Sequence, residues 1–210
     1  MSLTIALNRG RILKECLPLL ARAGIEPLDD IHSSRKLIFD ATGGYRLIVM
    51  RGSDVPTYVE HGVADVGITG KDTILEYGDG ADFYERLDLG IGRCRLMVAA
   101  PVGADIDTGP LRVATKFVNV ARSWYDGLGR QVTVIPLAGA IEIAPLTGLA
   151  DVIVDIVDTG NTLRANGLEE RERIVDISTR LIVNRASQKT RFDAVQTLVE
   201  RLRAVTAPGS

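Results

Sequence analysis

The sequence predicts an α/β fold of two lobes, in which parallel strands alternate with helices on both faces of each sheet. Three observations predict this fold. Short apolar or β-branched runs alternate with amphipathic helical segments along most of the chain. A stretch rich in proline and glycine at residues 101–110 interrupts the alternation, as a linker does. A long extended run at residues 173–184 then leads into a closing helix, which we expect to return the chain to the first lobe.

Lobe I is predicted to contain residues 1–100 and 178–210. Its strand-like runs are residues 3–7, Tyr45–Met50, a short run within residues 62–72, and residues 93–100. A helix follows the first run and can end at Gly24, and a second follows Tyr45–Met50 with Ser53 or Asp54 as its cap. The glycines within residues 62–72 permit close approach of the backbone.

Lobe II is predicted to contain residues 101–177. Its strand-like runs are Leu111–Thr115, residues 131–135 and Val152–Val157. Helical patterns occur at residues 117–128 and 139–146, and Trp124 and Tyr125 of the first of these are expected in a core or an interface. In parallel sheets ligands bind beyond the carboxyl ends of the strands, so the polar turns that follow Leu7, Met50 and Val157 are the candidate site.

The composition excludes several functional classes. The 210 residues carry a formal net charge of −2, which gives no global attraction for nucleic acid or an anionic membrane. No apolar run approaches the roughly 20 residues that span a bilayer, and the N-terminus lacks a signal-peptide pattern, so we expect a cytoplasmic protein. Cys16, Cys94, His32 and His61 lack metal-ligand spacing, so the two thiols are expected to be reduced and no firm metal site is predicted.

Arginines follow two of the strand-like runs. Arg9 and Arg11 flank Gly10 after the first run, and Arg51 follows Met50. Guanidinium groups match phosphate oxygens in bidentate geometry and stay charged, so these positions are candidate phosphate ligands. Loop arginines are also often merely solvated, but recurrence at two strand ends favours a site. Weaker candidates are Arg35, Lys36, Lys71 and Arg93.

The strand Val152–Val157 leads directly into a polar loop and a helix start. Carboxylates at a strand end suit sugar hydroxyls, and the free N–H groups and hydroxyls of the loop suit a phosphate. The alternative is a capped helix after a buried strand, and the loop alone leaves the two about equal. The candidate ligands are Asp155, Asp158, Thr159, Gly160, Asn161 and Thr162. Asp65 and Asp72 are expected to have structural roles.

Three segments of the chain resemble the short form of the ATP phosphoribosyltransferase family. They are LNRGRI near the N-terminus, RGSDVPTYVEHGVADVGITGKD from Arg51, and DIVDTGNTLRANGLEE from Asp155. The first departs from the family, which usually has Pro-Lys-Gly-Arg where this chain has Asn8-Arg9-Gly10-Arg11. The cation at position 9 is retained.

The resemblance implies a fold and a reaction. The fold is that of type II periplasmic binding proteins, with two α/β lobes around a cleft. The reaction transfers the phosphoribosyl group of phosphoribosyl pyrophosphate to N1 of ATP, releases pyrophosphate, and is the first step of histidine biosynthesis. It requires Mg²⁺, which we expect to be carried by substrate phosphates.

The resemblance also implies residue roles and partners. The loop at residues 155–162 would hold the ribose and its 5-phosphate, and the catalytic cations would be Arg9, Arg51 and Arg35. The residues expected to face ATP and pyrophosphate are Arg9, Gly10, Arg11, Arg51 and Lys71. Short-form members are homodimers that form a hetero-octamer with a regulatory subunit related to histidyl-tRNA synthetase.

Two alternatives remain at the level of sequence. A non-enzymatic solute-binding module has the same architecture, but such proteins usually carry a secretory signal and have no use for strand-end arginines beside a phosphate loop. Hydroxymethylbilane synthase has a related fold, but it needs a third domain with a cofactor-attaching cysteine, for which this chain lacks the length.

Overall fold

A computed structural model describes residues 2–106 and 109–206. The chain forms two compact units. Unit 1 contains the residues up to Gly92 and those from Ser178 onward, and unit 2 runs from Arg93 to Ile177. Asp107 and Thr108, which belong to the predicted linker, lie outside the described residues.

Eleven strands and eight α-helices are found in the described residues. In chain order the first elements are β1 (Thr4–Asn8), α1 (Arg11–Arg22), β2 (Ile38–Ala41), β3 (Tyr45–Met50), α2 (Val55–Glu60), β4 (Val66–Gly70), α3 (Lys71–Tyr77) and β5 (Phe83–Asp88). Unit 2 contributes β6 (Cys94–Pro101), β7 (Leu111–Thr115), α4 (Val118–Gly127), β8 (Val132–Pro136), α5 (Ile143–Leu146), β9 (Val152–Val157), α6 (Asn161–Ala165) and β10 (Leu168–Ile177). The chain closes with β11 (Thr179–Asn184), α7 (Arg185–Thr190) and α8 (Phe192–Thr206).

The sheet of unit 1 has the strand order β2-β3-β1-β4-β11-β5. Strand β1 is parallel to β3 and β4, whereas β2, β11 and β5 pair antiparallel with their neighbours. The carboxyl ends of the three parallel strands therefore lie at one edge of the sheet. This edge carries Asn8, Met50 and Gly70, each followed by a polar turn.

Helices cover both faces of this sheet. On one face, Leu13, Cys16 and Leu20 of α1 share a core with four residues of α8, namely Val195, Leu198, Val199 and Leu202. On the other face, Val55 and Val59 of α2 pack with Ala6, which alternates along β1 with residues of the first core. Burial raises the pKa of the Cys16 thiol to about 12, so this cysteine is a core residue with an inert thiol.

Asp65 has the structural role that was predicted for it. Its carboxylate, which is 5% exposed, accepts hydrogen bonds from Thr4 N at 2.8 Å and Ser187 Oγ at 2.7 Å. The Arg191 guanidinium lies 3.0 Å from the same carboxylate. Asp65 thus joins β1, α7 and the turn before β4 through a buried network.

Gly67 in β4 permits the close packing of α2 on the sheet. A Cβ atom at this position would lie 2.6 Å from Val55 Cγ1 and 2.7 Å from Val59 Cγ2. We expect Gly67→Ala to push α2 outward and to lower the free energy of unfolding by about 1–3 kcal/mol. Urea denaturation followed by circular dichroism measures the change.

The control is Gly127→Ala at the end of α4, where a new Cβ meets no atom within 4 Å. Because alanine is the better helix former, this variant is expected to be slightly stabilised, by up to about 1 kcal/mol. If both variants were equally stable, the assigned role of Gly67 would be wrong.

The sheet of unit 2 has the strand order β10-β6-β9-β7-β8. Strand β7 is parallel to β8 and β9, and β6 is antiparallel to both β9 and β10. Residues of α5 and α6 bury Ala114 and Ile153 on one face. The alternating Val113 and Val152 are buried as well, so the sheet is covered on both faces.

The structure departs from the predicted elements in several places. Both sheets are mixed rather than parallel, because β2, β5, β6, β10 and β11 run antiparallel to their neighbours. Strands β2 and β5 were not predicted. Both are edge strands, and β5 (FYERLD) carries the charged residues that protect such edges and obscure an apolar pattern.

The predicted extended run at residues 173–184 is two strands in different sheets. Strand β10 begins earlier, at Leu168, and pairs with β6, while β11 pairs with β4 and β5. The break falls at Ser178, where the chain re-enters unit 1. Strand β6 was predicted to lie in lobe I, but both of its hydrogen-bonded neighbours are in unit 2.

Two helix predictions also need correction. The helix expected at residues 139–146 is limited to Ile143–Leu146. Neither Ser53 nor Asp54 caps α2 with its side chain; instead Ser53 Oγ donates to Asp54 Oδ1 at 3.1 Å. Pro56 in the first turn removes one N–H group that would otherwise need an acceptor.

Candidate active site

The turns after β1 and β3 are joined by direct contacts. Arg9 N donates to Met50 O at 2.8 Å. The Asn8 side chain lies against Gly52, so closely that a Cβ there would be 2.6 Å from Asn8 Nδ2. Thr69 Oγ1 at the end of β4 donates to Gly52 O at 3.3 Å. The loops carrying Arg9 and Arg51 are therefore held together at the carboxyl edge of the sheet.

A cationic pocket of about 480 Å³ opens beside the first of these turns. It is lined by two of the predicted arginines, Arg9 and Arg35, and by Gly10. Lys14 and His32 add further basic groups, and apolar Leu13 and Phe39 form part of its wall. Lys36 also lines the pocket, but its Nζ lies 2.7 Å from Asp29 Oδ2 and is already paired. A pocket with this lining suits a polyanion that also has an apolar part.

The other predicted cations of unit 1 have different surroundings. Arg11 Nε lies 3.4 Å from Glu15 Oε1, one helical turn away. Lys71 Nζ lies 2.6 Å from Glu85 Oε2, so its ammonium group is already paired. Arg51 is exposed on the loop after β3 and does not line the pocket. The structure thus brings together Arg9, Gly10 and Arg35 but not Arg11 or Lys71.

In unit 2 the predicted phosphate loop connects β9 to α6. Gly160 precedes α6 in the left-handed conformation, with φ 74° and ψ 5°, and is buried. At this position the chain turns sharply, and N–H groups of the first helical turn have no intrahelical acceptor. Asp158, Thr159, Asn161 and Thr162 are all exposed around this glycine.

Two arginines donate hydrogen bonds to backbone carbonyl groups of the loop. Arg95 Nη1 donates to Asp158 O at 3.0 Å, and its Nε and Nη2 bind both oxygens of Glu170. Arg164 Nη2 donates to Thr159 O at 3.1 Å and to Asn161 Oδ1. The Asn161 amide oxygen is therefore engaged within the loop.

Asp155 has an environment different from that of the exposed Asp158. Its side chain is 18% exposed, and Lys116 Nζ lies 3.5 Å from Asp155 Oδ1. Burial raises the pKa of Asp155, while the charge of Lys116 and the hydrogen bond from Ile156 N lower it. Glu142 adds a smaller repulsion that raises it further.

Four residues that contact this site were not predicted from the sequence, namely Lys116, Arg95, Arg164 and Glu170. Arg164 follows the loop closely enough for its spacing to have indicated a contact. Lys116 directly follows β7 and Arg95 lies in β6, and their position beside β9 follows only from the strand order.

The ion pair between Arg95 and Glu170 makes the stability of the loop dependent on pH. Hydrogen bonds from Arg95 lower the pKa of Glu170. A lowered carboxyl pKa stabilises the folded state above the ordinary value of about 4.3, and this contribution is lost as pH falls below it. We expect Glu170→Gln to lower the melting temperature at neutral pH, with the difference from wild type shrinking as the pH falls below about 4.3.

Thermal unfolding of both proteins across this range measures the difference. In an Arg95→Gln background the effect of Glu170→Gln should largely disappear, because the partner is already absent. A difference that is the same at every pH would contradict this role of the ion pair.

No group of three or more His, Cys, Asp or Glu side chains suited to a metal ion is found within residues 2–106 and 109–206. None of the helices in these ranges is long and apolar enough to cross a bilayer.

Comparison with solved structures defines the class of this fold. The periplasmic aliphatic sulphonate binding protein SsuA from Escherichia coli is 15% identical, with a TM-score of 0.60 over 98% of this chain and 68% of that chain. The ATP phosphoribosyl transferase (HisG:HisZ) complex from Thermotoga maritima is 33% identical, with a TM-score of 0.85 over 97% of this chain and 98% of that chain. The chain thus has the type II periplasmic-binding-protein fold, and its greater similarity is to the transferase.

The sequence comparisons identify the family. The family model described as HisG, ATP phosphoribosyltransferase, matches residues 51–204. The ATP phosphoribosyltransferase of Ectopseudomonas mendocina is 59% identical over 96% of this chain and 95% of the relative. The chain belongs to the ATP phosphoribosyltransferase family. It is a pentosyltransferase of histidine biosynthesis, and the comparisons support this function rather than a solute-binding module. Enzymes of this family require a divalent metal.

Proposed function

We propose that the phosphoribosyl donor binds at the loop of residues 155–162 in unit 2, while the cations after β1 and β3 in unit 1 bind the polyphosphates. The chain would thereby transfer the phosphoribosyl group of phosphoribosyl pyrophosphate to N1 of ATP. The family match over residues 51–204 is the observation that carries this function, since it includes the whole loop and Arg51.

The geometry of the loop supports donor binding. Its left-handed glycine and short helix start leave N–H groups for the 5-phosphate, and exposed hydroxyls of Thr159 and Thr162 surround them. Asp155 and Asp158 are carboxylates that accept hydrogen bonds from ribose hydroxyls. The bonds from Arg95 and Arg164 fix the loop before substrate arrives, which lowers the entropic cost of binding.

The chemistry requires little from protein nucleophiles or bases. Adenine N1 has a lone pair at neutral pH, so its attack on the anomeric carbon needs no general base. The barrier lies in expelling pyrophosphate from a carbon that gains oxocarbenium character. Arg9 and Arg51 would stabilise the charge that grows on the leaving group, and Arg35 would contribute from the same pocket as Arg9.

We propose Mg²⁺ as the divalent metal. When it is bound to the pyrophosphate oxygens it neutralises charge on the leaving group.

Lys71 and Arg11, which are paired with Glu85 and Glu15, would contact ATP or pyrophosphate only after exchanging these partners. We also propose a cytoplasmic location, where both substrates are available.

The activity is tested by mixing the purified chain with ATP, phosphoribosyl pyrophosphate and Mg²⁺ and following the ultraviolet absorbance of the N1-substituted adenine nucleotide. Product should require all three. Inosine triphosphate is the matched control, because its N1 carries a hydrogen and has no free lone pair, so it should give no product. Absence of product from ATP, with and without a regulatory subunit, would overturn the proposed function.

We further propose a homodimer that binds a HisZ-type subunit to form a hetero-octamer. The support is the similarity to the HisG:HisZ complex from Thermotoga maritima over nearly the whole of both chains. Light scattering of the chain alone and with a HisZ protein should give the masses of a dimer and of an octamer. A monomer in both samples would contradict this assembly.

A further inference from the structure

A buried hydroxyl group joins the end of β7 to β9 by a hydrogen bond. Thr115 Oγ1 donates to Val154 O at 2.6 Å and accepts a hydrogen bond from Phe117 N at 2.8 Å. These bonds fix the backbone on both sides of Lys116. Because Thr115 and Val154 are register partners on parallel strands, Lys116 and Asp155 follow side by side.

The Lys116 side chain is held on two sides. Its Nζ lies 3.5 Å from Asp155 Oδ1 and 4.9 Å from the centroid of the buried Phe117 ring. The ring face attracts the ammonium group by a cation–π interaction. The side chain is still 44% exposed, so its ammonium group is not enclosed by protein.

Asp155 keeps one oxygen for a ligand. Both contacts that its carboxylate makes in the described part of the chain, with Lys116 Nζ and with Ile156 N, end on Oδ1. Oδ2 can therefore accept a hydrogen bond from a bound hydroxyl, provided that the carboxyl group is ionised. A protonated carboxyl group offers a weaker acceptor and presents a competing donor.

Three charged or polar groups face Asp155, and they act in opposite directions. Burial and the negative charge of Glu142 raise the pKa of Asp155, while Lys116 and the Ile156 N–H group lower it. Among these groups Lys116 carries the one positive charge, so it is the group that most strongly disfavours protonation of Asp155.

We propose that Lys116 is a positioning residue of the donor site, which orients Asp155 and keeps it ionised so that Oδ2 accepts a hydrogen bond from a ribose hydroxyl of the phosphoribosyl donor. This inference rests on the proposed function, since it assumes that the donor sugar binds beside Asp155. It assigns a role to a lysine outside the three segments that carry the family resemblance.

The test compares the Michaelis constant for phosphoribosyl pyrophosphate in wild type, Lys116→Met and Lys116→Arg between about pH 6 and pH 9. Without Lys116 the pKa of Asp155 rises further, so the protonated fraction grows as the pH falls. We expect Lys116→Met to raise this constant severalfold, with the larger increase at the acidic end of the range, and to change kcat little. Each value is expressed relative to wild type at the same pH, which cancels titration of the substrate phosphates.

Three comparisons make the result specific. Lys116→Arg retains the charge and should restore most of the affinity. Lys189→Met removes an exposed lysine of α7 in unit 1 and should leave the pH profile unchanged. In an Asp155→Asn background, which has no ionisable group at this position, Lys116→Met should have no further pH-dependent effect.

A pH profile of Lys116→Met identical to that of wild type would overturn the role of Lys116 while leaving the proposed function intact. The same pH-dependent loss in the Asp155→Asn background would overturn it too, because Lys116 would then act through another group. Absence of both turnover and donor binding in wild type would overturn the proposed function and this inference together. Thermal unfolding of each variant shows whether a loss of affinity reflects misfolding.

Discussion

Replacing Gly160 with valine is expected to weaken binding of phosphoribosyl pyrophosphate by more than about 100-fold. The backbone has φ 74° here, a conformation that β-branched residues strongly disfavour. A Cβ atom would also lie 2.9 Å from Glu170 Oε1 and 3.0 Å from Arg164 Nη1. The loop must therefore change its turn and displace both side chains, which removes the arrangement of N–H groups proposed to bind the 5-phosphate. Isothermal titration calorimetry measures the affinity.

The same substitution strains the fold, so a matched control is needed. Gly129 has φ 66°, but a Cβ there meets no atom within 4 Å. Gly129→Val should therefore lower stability by a similar backbone penalty, about 1–2 kcal/mol, while leaving donor affinity unchanged. Equal donor affinity in Gly160→Val and wild type would show that the loop is only a capped helix start.

Substituting both Arg9 and Arg51 with alanine is expected to slow the chemical step by about 10²–10³-fold. The two loops are joined by the hydrogen bond from Arg9 N to Met50 O, and their guanidinium groups are proposed to stabilise the departing pyrophosphate. Because that charge grows only as the bond to the anomeric carbon breaks, the loss should be larger in the rate than in substrate affinity. Single-turnover kinetics with rapid quenching isolates this step.

Arg9→Lys tests the contribution of geometry, since it retains the charge but loses the bidentate guanidinium group. It should recover part of the rate, whereas the remote Lys189→Met should have the rate of wild type. The backbone bond between the loops does not involve the Arg9 side chain, so the fold should survive the substitution. An unchanged single-turnover rate in the double variant would exclude both arginines from the chemical step.

Much of the fold was predictable from the sequence because its signals are local. Strands β3 and β7 match the predicted bounds, and helices are found after the first strand and at the end of the chain, as predicted. Sequence spacing of this kind reports neighbours within one strand or one helical turn. It failed for β5 and for the first half of β10, whose charged residues conceal their strand pattern, and for the antiparallel direction of the strands.

The candidate site was predictable to a similar extent. The strand-loop-helix order around Gly160 and the cations after β1 and β3 were both read from residue types and spacing. The sequence did not predict which of these cations share a pocket. Arg9 and Arg35 line one cavity although Arg35 lies on a separate loop, while Lys71, with an equally suggestive position, is paired with Glu85.

The sequence by itself determined the family, the α/β class, and the loop proposed to bind the donor, because these depend on residue types at short spacings. Only the tertiary structure decided which distant charges meet. Strand order places Lys116 beside Asp155, and Arg95 between Asp158 and Glu170. The physical reason is that electrostatic interactions depend on the distance through space and are strong at a few ångströms. Strand pairing brings residues that are far apart in the chain within that distance.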